Sequence, residues 1–149
     1  MEVKFKAVNP KIGREIPLPQ FATAGSAAMD LHACVDAPVT LKAGERAVIP
    51  TGLAMALPSG TYVALVFARS GLGIKKGVCL SNGVGVIDSD YRGEIAVGLV
   101  NLSAEDYTVQ AGDRIAQLMV VPVVQPTISL VPELDDTDRG SGGFGSTGR

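Results

Sequence analysis

The sequence predicts an all-β sandwich for most of its 149 residues. Short runs rich in β-branched and aromatic residues recur along the chain, and Gly, Pro or Asp interrupts them at short intervals, as at residues 58–60 and 111–113. Such spacing is typical of strands joined by tight turns. Because no stretch carries the sustained 3.6-residue apolar period of an amphipathic helix, helices are expected to contribute little.

The predicted strands follow one another from the N-terminus. Residues 3–7 alternate apolar and charged side chains, as a strand with one buried face does. Residues 41–47 (LKAGERA) and 109–115 (VQAGDRI) echo each other, which indicates either an internal duplication or, as we favour, two turns with the same left-handed glycine. A short helical turn is expected only at residues 71–76. The other β-prone runs are residues 39–41, 47–49, 53–57, 62–67, 78–80, 84–87, 94–100 and 115–124.

Composition limits the chain to one core and few classes of partner. With 46% hydrophobic residues, 149 residues suffice for one compact domain but not for two. A formal net charge of -2 argues against binding of polymeric nucleic acid, because such domains are usually basic on one face. No apolar run approaches the ~20 residues of a membrane span, and residues 1–6 lack the apolar region of a signal peptide. A cytoplasmic location without a membrane partner is therefore expected.

Cysteine and histidine usage argues against a metal cluster, a disulfide or a histidine-based triad. Cys34 and Cys79 lie in apolar, strand-like contexts without CxxC spacing and are expected to be buried, reduced thiols. His32 is the only histidine, and no partner cluster surrounds it in the sequence. We therefore interpret His32 as a structural strand residue.

Two further patterns predict an oligomer with a separate C-terminal segment. Residues 94–100 and 118–124 carry few charges. A small sandwich that exposed them would tend to aggregate, so a subunit interface is expected. From Asp135 onward the chain is rich in Asp, Gly, Ser and Thr and too poor in apolar groups to fold by itself. The prediction is a β domain over residues 1–134 and a mobile arm over residues 135–149.

The most informative segment is residues 82–101, where two apolar, β-prone runs flank a tight polar turn that carries Asp88, Tyr91 and Arg92. This pattern predicts a hairpin that presents an acid, an aromatic ring and a base from one corner. Its backbone N–H and C=O groups would be free to pair with a flat ligand. The segment therefore indicates a nucleobase pocket with a carboxylate beside it.

Five motifs in a fixed order give the chain a specific likeness. They are residues 24–31 (AGSAAMDL), 68–71 (ARSG), 82–101, 112–117 (GDRIAQ) and 139–148 (RGSGGFGSTG). With them the chain resembles the trimeric dUTP pyrophosphatase (dUTPase) family over nearly its whole length. The resemblance implies a jelly-roll-like β-barrel, a homotrimer with shared active sites, and Mg²⁺ as cofactor. It also implies hydrolysis of dUTP to dUMP and pyrophosphate, which keeps uracil out of DNA and supplies dUMP for thymidylate synthesis.

The resemblance places the reaction centre at the polar turn. Asp88 is the expected catalytic base, since a positioned carboxylate can deprotonate the water that attacks the α phosphate. Asp90 is instead interpreted as a turn residue that bonds local backbone. The Tyr91 ring would pack against the sugar and leave no room for a 2'-hydroxyl. The residues expected to contact the base are Asn82, Gly83, Val86 and Ile87.

Phosphate contacts are expected from two other motifs. Arg69, Ser70 and Gly71 combine a guanidinium, a hydroxyl and a close backbone approach, which suits phosphate binding. The resemblance adds Gln117 near the α phosphate. It implies that Mg²⁺ is held by the triphosphate and water, with no direct protein ligand. Asp30 would be an outer-shell contact, although an ordinary turn carboxylate explains it equally well.

The glycine-rich arm is expected to close over the bound nucleotide. It is not a P-loop, because Ser146 stands where that motif requires lysine. Its glycines offer N–H donors, Arg139 would meet the terminal phosphate charge, and Phe144 would stack over the base. The other contacts expected from the arm are Gly145, Ser146 and Thr147. The alternative interpretation is a disordered tail without function.

Two rival functions fit parts of the pattern. One is a dCTP deaminase of related fold, but that family carries Arg-Ser-Ser where this chain has Arg69-Ser70-Gly71. The other is a trimer that senses nucleotides without catalysis, and the intact Asp88 and arm argue against it.

Overall fold

The computed structural model describes residues 1–143, which form ten strands and one short helix. The ladders between these strands are all antiparallel. The helix, α1, spans Ser70–Lys76. The strands are β1 Lys4–Ala7, β2 Met29–His32, β3 Val39–Leu41, β4 Arg46–Ala56, β5 Tyr62–Phe67, β6 Val78–Leu80, β7 Gly85–Ile87, β8 Glu94–Asn101, β9 Tyr107–Val109 and β10 Arg114–Pro122.

Two four-stranded sheets and a two-stranded ribbon make up the fold. The first sheet has the order β1-β4-β8-β6, the second has the order β2-β10-β5-β7, and β3 pairs with β9. Sequence neighbours such as β4 and β5 therefore lie in different sheets. This is the predicted all-β, jelly-roll-like architecture.

One main apolar core stabilises the barrel. Along β8, Ile95, Val97 and Leu99 are at most 3% exposed and alternate with less buried residues, as the two-residue period of a strand requires. Ile49 of the same sheet and Leu118 of the second sheet belong to the same buried cluster. Each fully buried aliphatic side chain of this kind contributes about 1.5–3 kcal/mol relative to exposure.

The observed strands agree with the predicted runs except at a few places with clear causes. Residues 47–49 and 53–56 belong to one strand, β4, because a register shift between Pro50 and Ala54 absorbs the apparent break. Gly52 enables this bulge with a left-handed φ of 71°. Of β2, only His32 was interpreted as a strand residue, and β9 was not predicted, since these strands have only 4 and 3 residues.

The predicted hairpin within residues 82–101 is wrong. β7 pairs with β5 of the second sheet, where Val86 lies opposite Leu65. β8 pairs with β4 and β6 of the first sheet. The polar turn therefore crosses from one sheet to the other.

The two echoing segments adopt the same turn. Gly44 and Gly112 have φ angles of 77° and 83°, in the left-handed region that favours glycine. In each turn, the backbone N–H two residues before the glycine donates to the carboxylate of the residue after it, at 2.9 and 2.8 Å. Shared turn chemistry thus accounts for the echo, as favoured above.

The helix α1 confirms the expected helical turn. It buries Leu72 and ends at Gly77, whose left-handed φ of 67° lets its N–H donate to the Gly73 carbonyl at 3.1 Å. Lys75 and Lys76 in the last turn complement the negative end of the helix dipole. No helix among residues 1–143 is long and apolar enough to cross a membrane.

Both cysteines are free thiols, Cys34 buried and Cys79 half-buried. Burial raises the pKa of the Cys34 thiol, so this group stays protonated near neutral pH. His32 is half-buried in β2, where loss of solvation lowers the pKa of its ring. A neutral imidazole within a strand agrees with the structural interpretation of His32.

Candidate active site

A cavity of about 280 Å³ opens where β7 and β8 diverge into separate sheets. The ladder between β6 and β8 extends from Asn101 only to Leu99, opposite Leu80. Residues 94–98 of β8 therefore face the cavity along an edge that β6 does not cover. A volume near 300 Å³ is at the small end of ligand pockets. Of the predicted site residues, the cavity wall includes Asn82, Val86, Ile87, Asp88 and Tyr91.

Glycines shape the entrance to this cavity. A Cβ on Gly85 would lie 3.1 Å from the Cβ of Val66, so glycine lets β7 pack closely against β5. Gly83 does not line the cavity wall; it has a φ of 73° and forms the turn that follows Leu80. The predicted contact of Gly83 with the base therefore stays a prediction, whereas its role in the turn is visible.

Asp88 and Asp90 lie in the same turn but face different surroundings. Asp88 directly follows β7 and lines the cavity, and its backbone carbonyl accepts a hydrogen bond from the Tyr91 N–H at 3.2 Å. Asp90 is exposed and does not line that cavity. Only Asp88 of the two lines the cavity, and the roles assigned to both carboxylates stay predictions.

The Tyr91 ring is fixed at the mouth of the cavity by backbone contacts. Its hydroxyl donates to the Glu94 carbonyl at 3.0 Å, although 46% of the residue is exposed. The Glu94 carboxylate in turn accepts the Gly52 N–H at 2.7 Å, which ties the turn to the bulge in β4. Arg92 folds back on the turn and donates to the Ser89 carbonyl at 2.8 Å.

A cationic cluster lines a second cavity of about 670 Å³. The Asp30 carboxylate, 18% exposed, accepts hydrogen bonds from Arg69 Nε at 2.8 Å and from Arg114 Nη1 at 3.2 Å. Because each oxygen of Asp30 bonds one guanidinium, this carboxylate orients both arginines. Their remaining N–H groups are suited to an anionic ligand such as phosphate.

The other predicted phosphate contacts surround this cluster. Gln117 in β10 lines the second cavity and donates to the Ala68 carbonyl at 3.2 Å. Ser70 begins α1 and is exposed, and Gly71 lines a third cavity of about 320 Å³ together with Tyr107. Burial raises the pKa of Tyr107, so its phenol stays protonated and can donate to an anion.

The predicted arm residues fall on both sides of the described boundary. Arg139 is exposed in a turn, where its Nε donates to the Gly142 carbonyl at 2.8 Å. Phe144, Gly145, Ser146 and Thr147 lie outside the described residues 1–143. Within one chain, the structure thus brings Asn82, Val86, Ile87, Asp88 and Tyr91 together, and Asp30, Arg69 and Gln117 together, in two separate cavities.

Two residues of the site were missed at the sequence level. Arg114 shares Asp30 with Arg69, although 84 residues separate it from Asp30 in the chain. Its position three residues before Gln117, in the motif 112–117, was the only available signal. Glu94 was interpreted only as part of a strand. Its carboxylate bonds the Gly52 N–H because of the bulge in β4, and no local sequence pattern predicts that bulge.

Fold and site together define a nucleotide-binding class of β protein: a base-sized cavity with a carboxylate at its mouth, and an arginine pair suited to phosphate. The family model described as dUTPase matches residues 14–148. The chain belongs to the dUTPase family.

Individual relatives agree over almost the full length. The chain is 51% identical to the deoxyuridine 5'-triphosphate nucleotidohydrolase of Idiomarina loihiensis, over 99% of this chain and 98% of that protein. It is 47% identical to the protein of the same name from Escherichia coli, with the same coverage. Among solved structures, a variant of the Staphylococcus bacteriophage 80alpha dUTPase with dUpNHpp is similar, with a TM-score of 0.87, 26% identity and 99% coverage of both chains.

Proposed function

We propose that this chain hydrolyses dUTP to dUMP and pyrophosphate, with Asp88 activating the water that attacks the α phosphate. Membership of the dUTPase family supports the reaction. One observation supports the base: of the two acidic residues in the cavity wall, Glu94 already accepts the Gly52 N–H, which leaves Asp88 for the water. Water is a weak nucleophile, so a carboxylate beside the bound substrate is needed to orient it and take its proton.

Uracil is selected by the edge of β8 and by Asn82. Residues 94–98 line the cavity, and their backbone groups that are not bonded within the protein would pair with the base. The carbonyls of Glu94, Ile95 and Gly98 already accept bonds from Tyr91, Thr51 and Ser81. Uracil has an N3 donor between two carbonyl acceptors, whereas cytosine has an acceptor at N3 and a donor at N4. The wrong base would leave buried groups unpaired, which lowers the rate by up to ~10⁴-fold. Thymine pairs identically and is rejected only if its C5 methyl group does not fit.

The triphosphate is held by Arg69, Ser70, Gly71 and Gln117, with Arg139 and the arm closing over it. Residues 1–143 contain no cluster of three or more His, Cys, Asp or Glu suited to a metal ion. Mg²⁺ would be carried by the triphosphate and water, with Asp30, which bonds Arg69 and Arg114, as an outer-shell contact. The bound ion would neutralise charge on the leaving pyrophosphate.

The working enzyme is a homotrimer with shared active sites. Asp88 and Arg69 line separate cavities of one chain, so bringing base and phosphate contacts to one substrate favours contributions from neighbouring subunits. The segment after β10 also exposes apolar side chains that favour a protein partner. They include Val124, Ile128 and Leu130, at 85%, 92% and 102% exposure.

The direct test is to incubate the purified protein with dUTP and with dCTP in the presence of Mg²⁺ and to identify the products. We expect dUMP and pyrophosphate from dUTP and little turnover of dCTP. Formation of dUTP from dCTP would assign a deaminase instead. Binding of dUTP without any product would assign a nucleotide sensor.

Replacement of Tyr91 by Ala tests the selection of deoxyribose. Without the ring, the space for a 2'-hydroxyl is open, so we expect the ratio of kcat/KM for dUTP over UTP to fall by about 10- to 100-fold. The measurement is steady-state kinetics with both nucleotides. An unchanged ratio would remove Tyr91 from this role, and the proposal that the chain hydrolyses dUTP would still stand.

A further inference from the structure

Gly93 lies directly beneath the Tyr91 side chain. A Cβ built on Gly93 would be 2.6 Å from Tyr91 Cζ and 3.0 Å from Cε2, and closer still to the hydroxyl oxygen. Real Cβ atoms do not approach other heavy atoms this closely, so any residue other than glycine must displace the ring. The hydroxyl reaches the Glu94 carbonyl at 3.0 Å only because the ring can pass over this position.

Backbone conformation does not explain the glycine. Unlike Gly52 and Gly83, Gly93 does not have a positive φ, so alanine can adopt its backbone conformation. The contact of a Cβ with the Tyr91 ring is therefore the specific restriction at this position.

Solvent-exposed space is available to a displaced Tyr91 ring. Tyr91 is 46% exposed, so its side chain can swing outward without disturbing the buried core, at the loss of the hydroxyl's hydrogen bond to the Glu94 carbonyl. An added methyl group at position 93 would thus change where the ring lies at the cavity mouth more than it would change the stability of the barrel.

We propose that Gly93 is a positioning residue that sets sugar specificity by leaving the space in which the Tyr91 ring lies against its own turn. This inference rests on the proposed role of Tyr91 in selecting deoxyribose. In this arrangement, Tyr91 contacts the sugar, and Gly93 acts only through Tyr91.

A double-mutant cycle tests the inference in the full-length protein, with Gly93→Ala, Tyr91→Ala and the double variant. The kcat/KM ratio of dUTP over UTP should fall by about tenfold in Gly93→Ala, because the displaced ring no longer closes the space for a 2'-hydroxyl. In the Tyr91→Ala background, the same change at Gly93 should alter the ratio by less than about twofold, because the ring through which it acts is gone. Gly60→Ala is the matched control, since a Cβ there meets only ordinary contacts of 3.8 Å or more.

Each outcome decides one claim. If Tyr91→Ala leaves the ratio unchanged, the role of Tyr91 fails. If Tyr91→Ala lowers the ratio and Gly93→Ala does not, or if the two effects multiply in the double variant, only the role of Gly93 is overturned. If Gly93→Ala folds poorly, melting temperatures are compared instead. The double variant should then melt at the temperature of Tyr91→Ala, because removal of the ring removes the clash. A double variant that melts well below Tyr91→Ala would contradict the proposal.

Discussion

Replacement of Asp88 by Asn is expected to abolish most turnover while dUTP still binds. The amide has nearly the same size as the carboxylate but cannot accept the proton of the attacking water, so kcat should fall by about 10²- to 10⁴-fold. Because Asp88 is exposed at the cavity mouth and outside the core, the melting temperature should change little. Single-turnover kinetics would measure the chemical step, and equilibrium binding of a non-hydrolysable dUTP analogue would measure affinity.

Asp90→Asn is the matched control for this experiment. Asp90 lies two residues away in the same exposed turn but does not line the cavity, so its kcat should stay near the normal value. Near-normal kcat in Asp88→Asn, or an equal loss in both variants, would assign the base to another group. The pair of variants thus separates loss of a specific base from loss of negative charge in the turn.

Local sequence patterns predicted which segments form strands but not how all of them pair. The alternation in β8 and the apolar run of β5 indicated strands because side-chain period is a local property. The partner of β7 is not local: the turn after Ile87 looked like a hairpin, yet β7 pairs with β5 about twenty residues upstream. The short strands β2 and β9 acquire their structure from neighbours in the sheet, not from their own composition.

The same distinction applies to the candidate site. Asp88 and Tyr91 were identifiable because they occupy one contiguous turn with a specific family motif. The bonds of Asp30 to Arg69 and Arg114 join positions 39 and 84 residues apart, and no spacing rule predicts them. No sequence pattern singles out Gly93, and its contact with the Tyr91 ring is visible only in the structure.

Deletion of residues 139–149 is expected to remove activity but not the fold. Among the described residues the buried hydrophobic core ends at Leu118, and no strand follows Pro122, so truncation at residue 139 removes almost no core. The melting temperature and the trimer mass should therefore barely change. Turnover should fall on the order of 10²-fold or more, because the proposed cationic, stacking and N–H contacts with the nucleotide are lost together.

Protection of the arm by substrate provides the complementary measurement in the intact protein. Arg139 is exposed, so trypsin should cleave after it readily. A non-hydrolysable dUTP analogue with Mg²⁺ should slow that cleavage, because closure over the nucleotide orders the segment at the cost of chain entropy. Lys42 and Lys75, which are exposed and line none of the three cavities described above, serve as internal reference sites whose cleavage should respond less. Equal cleavage at Arg139 with and without the analogue, or full activity in the truncated protein, would identify the arm as a passive tail.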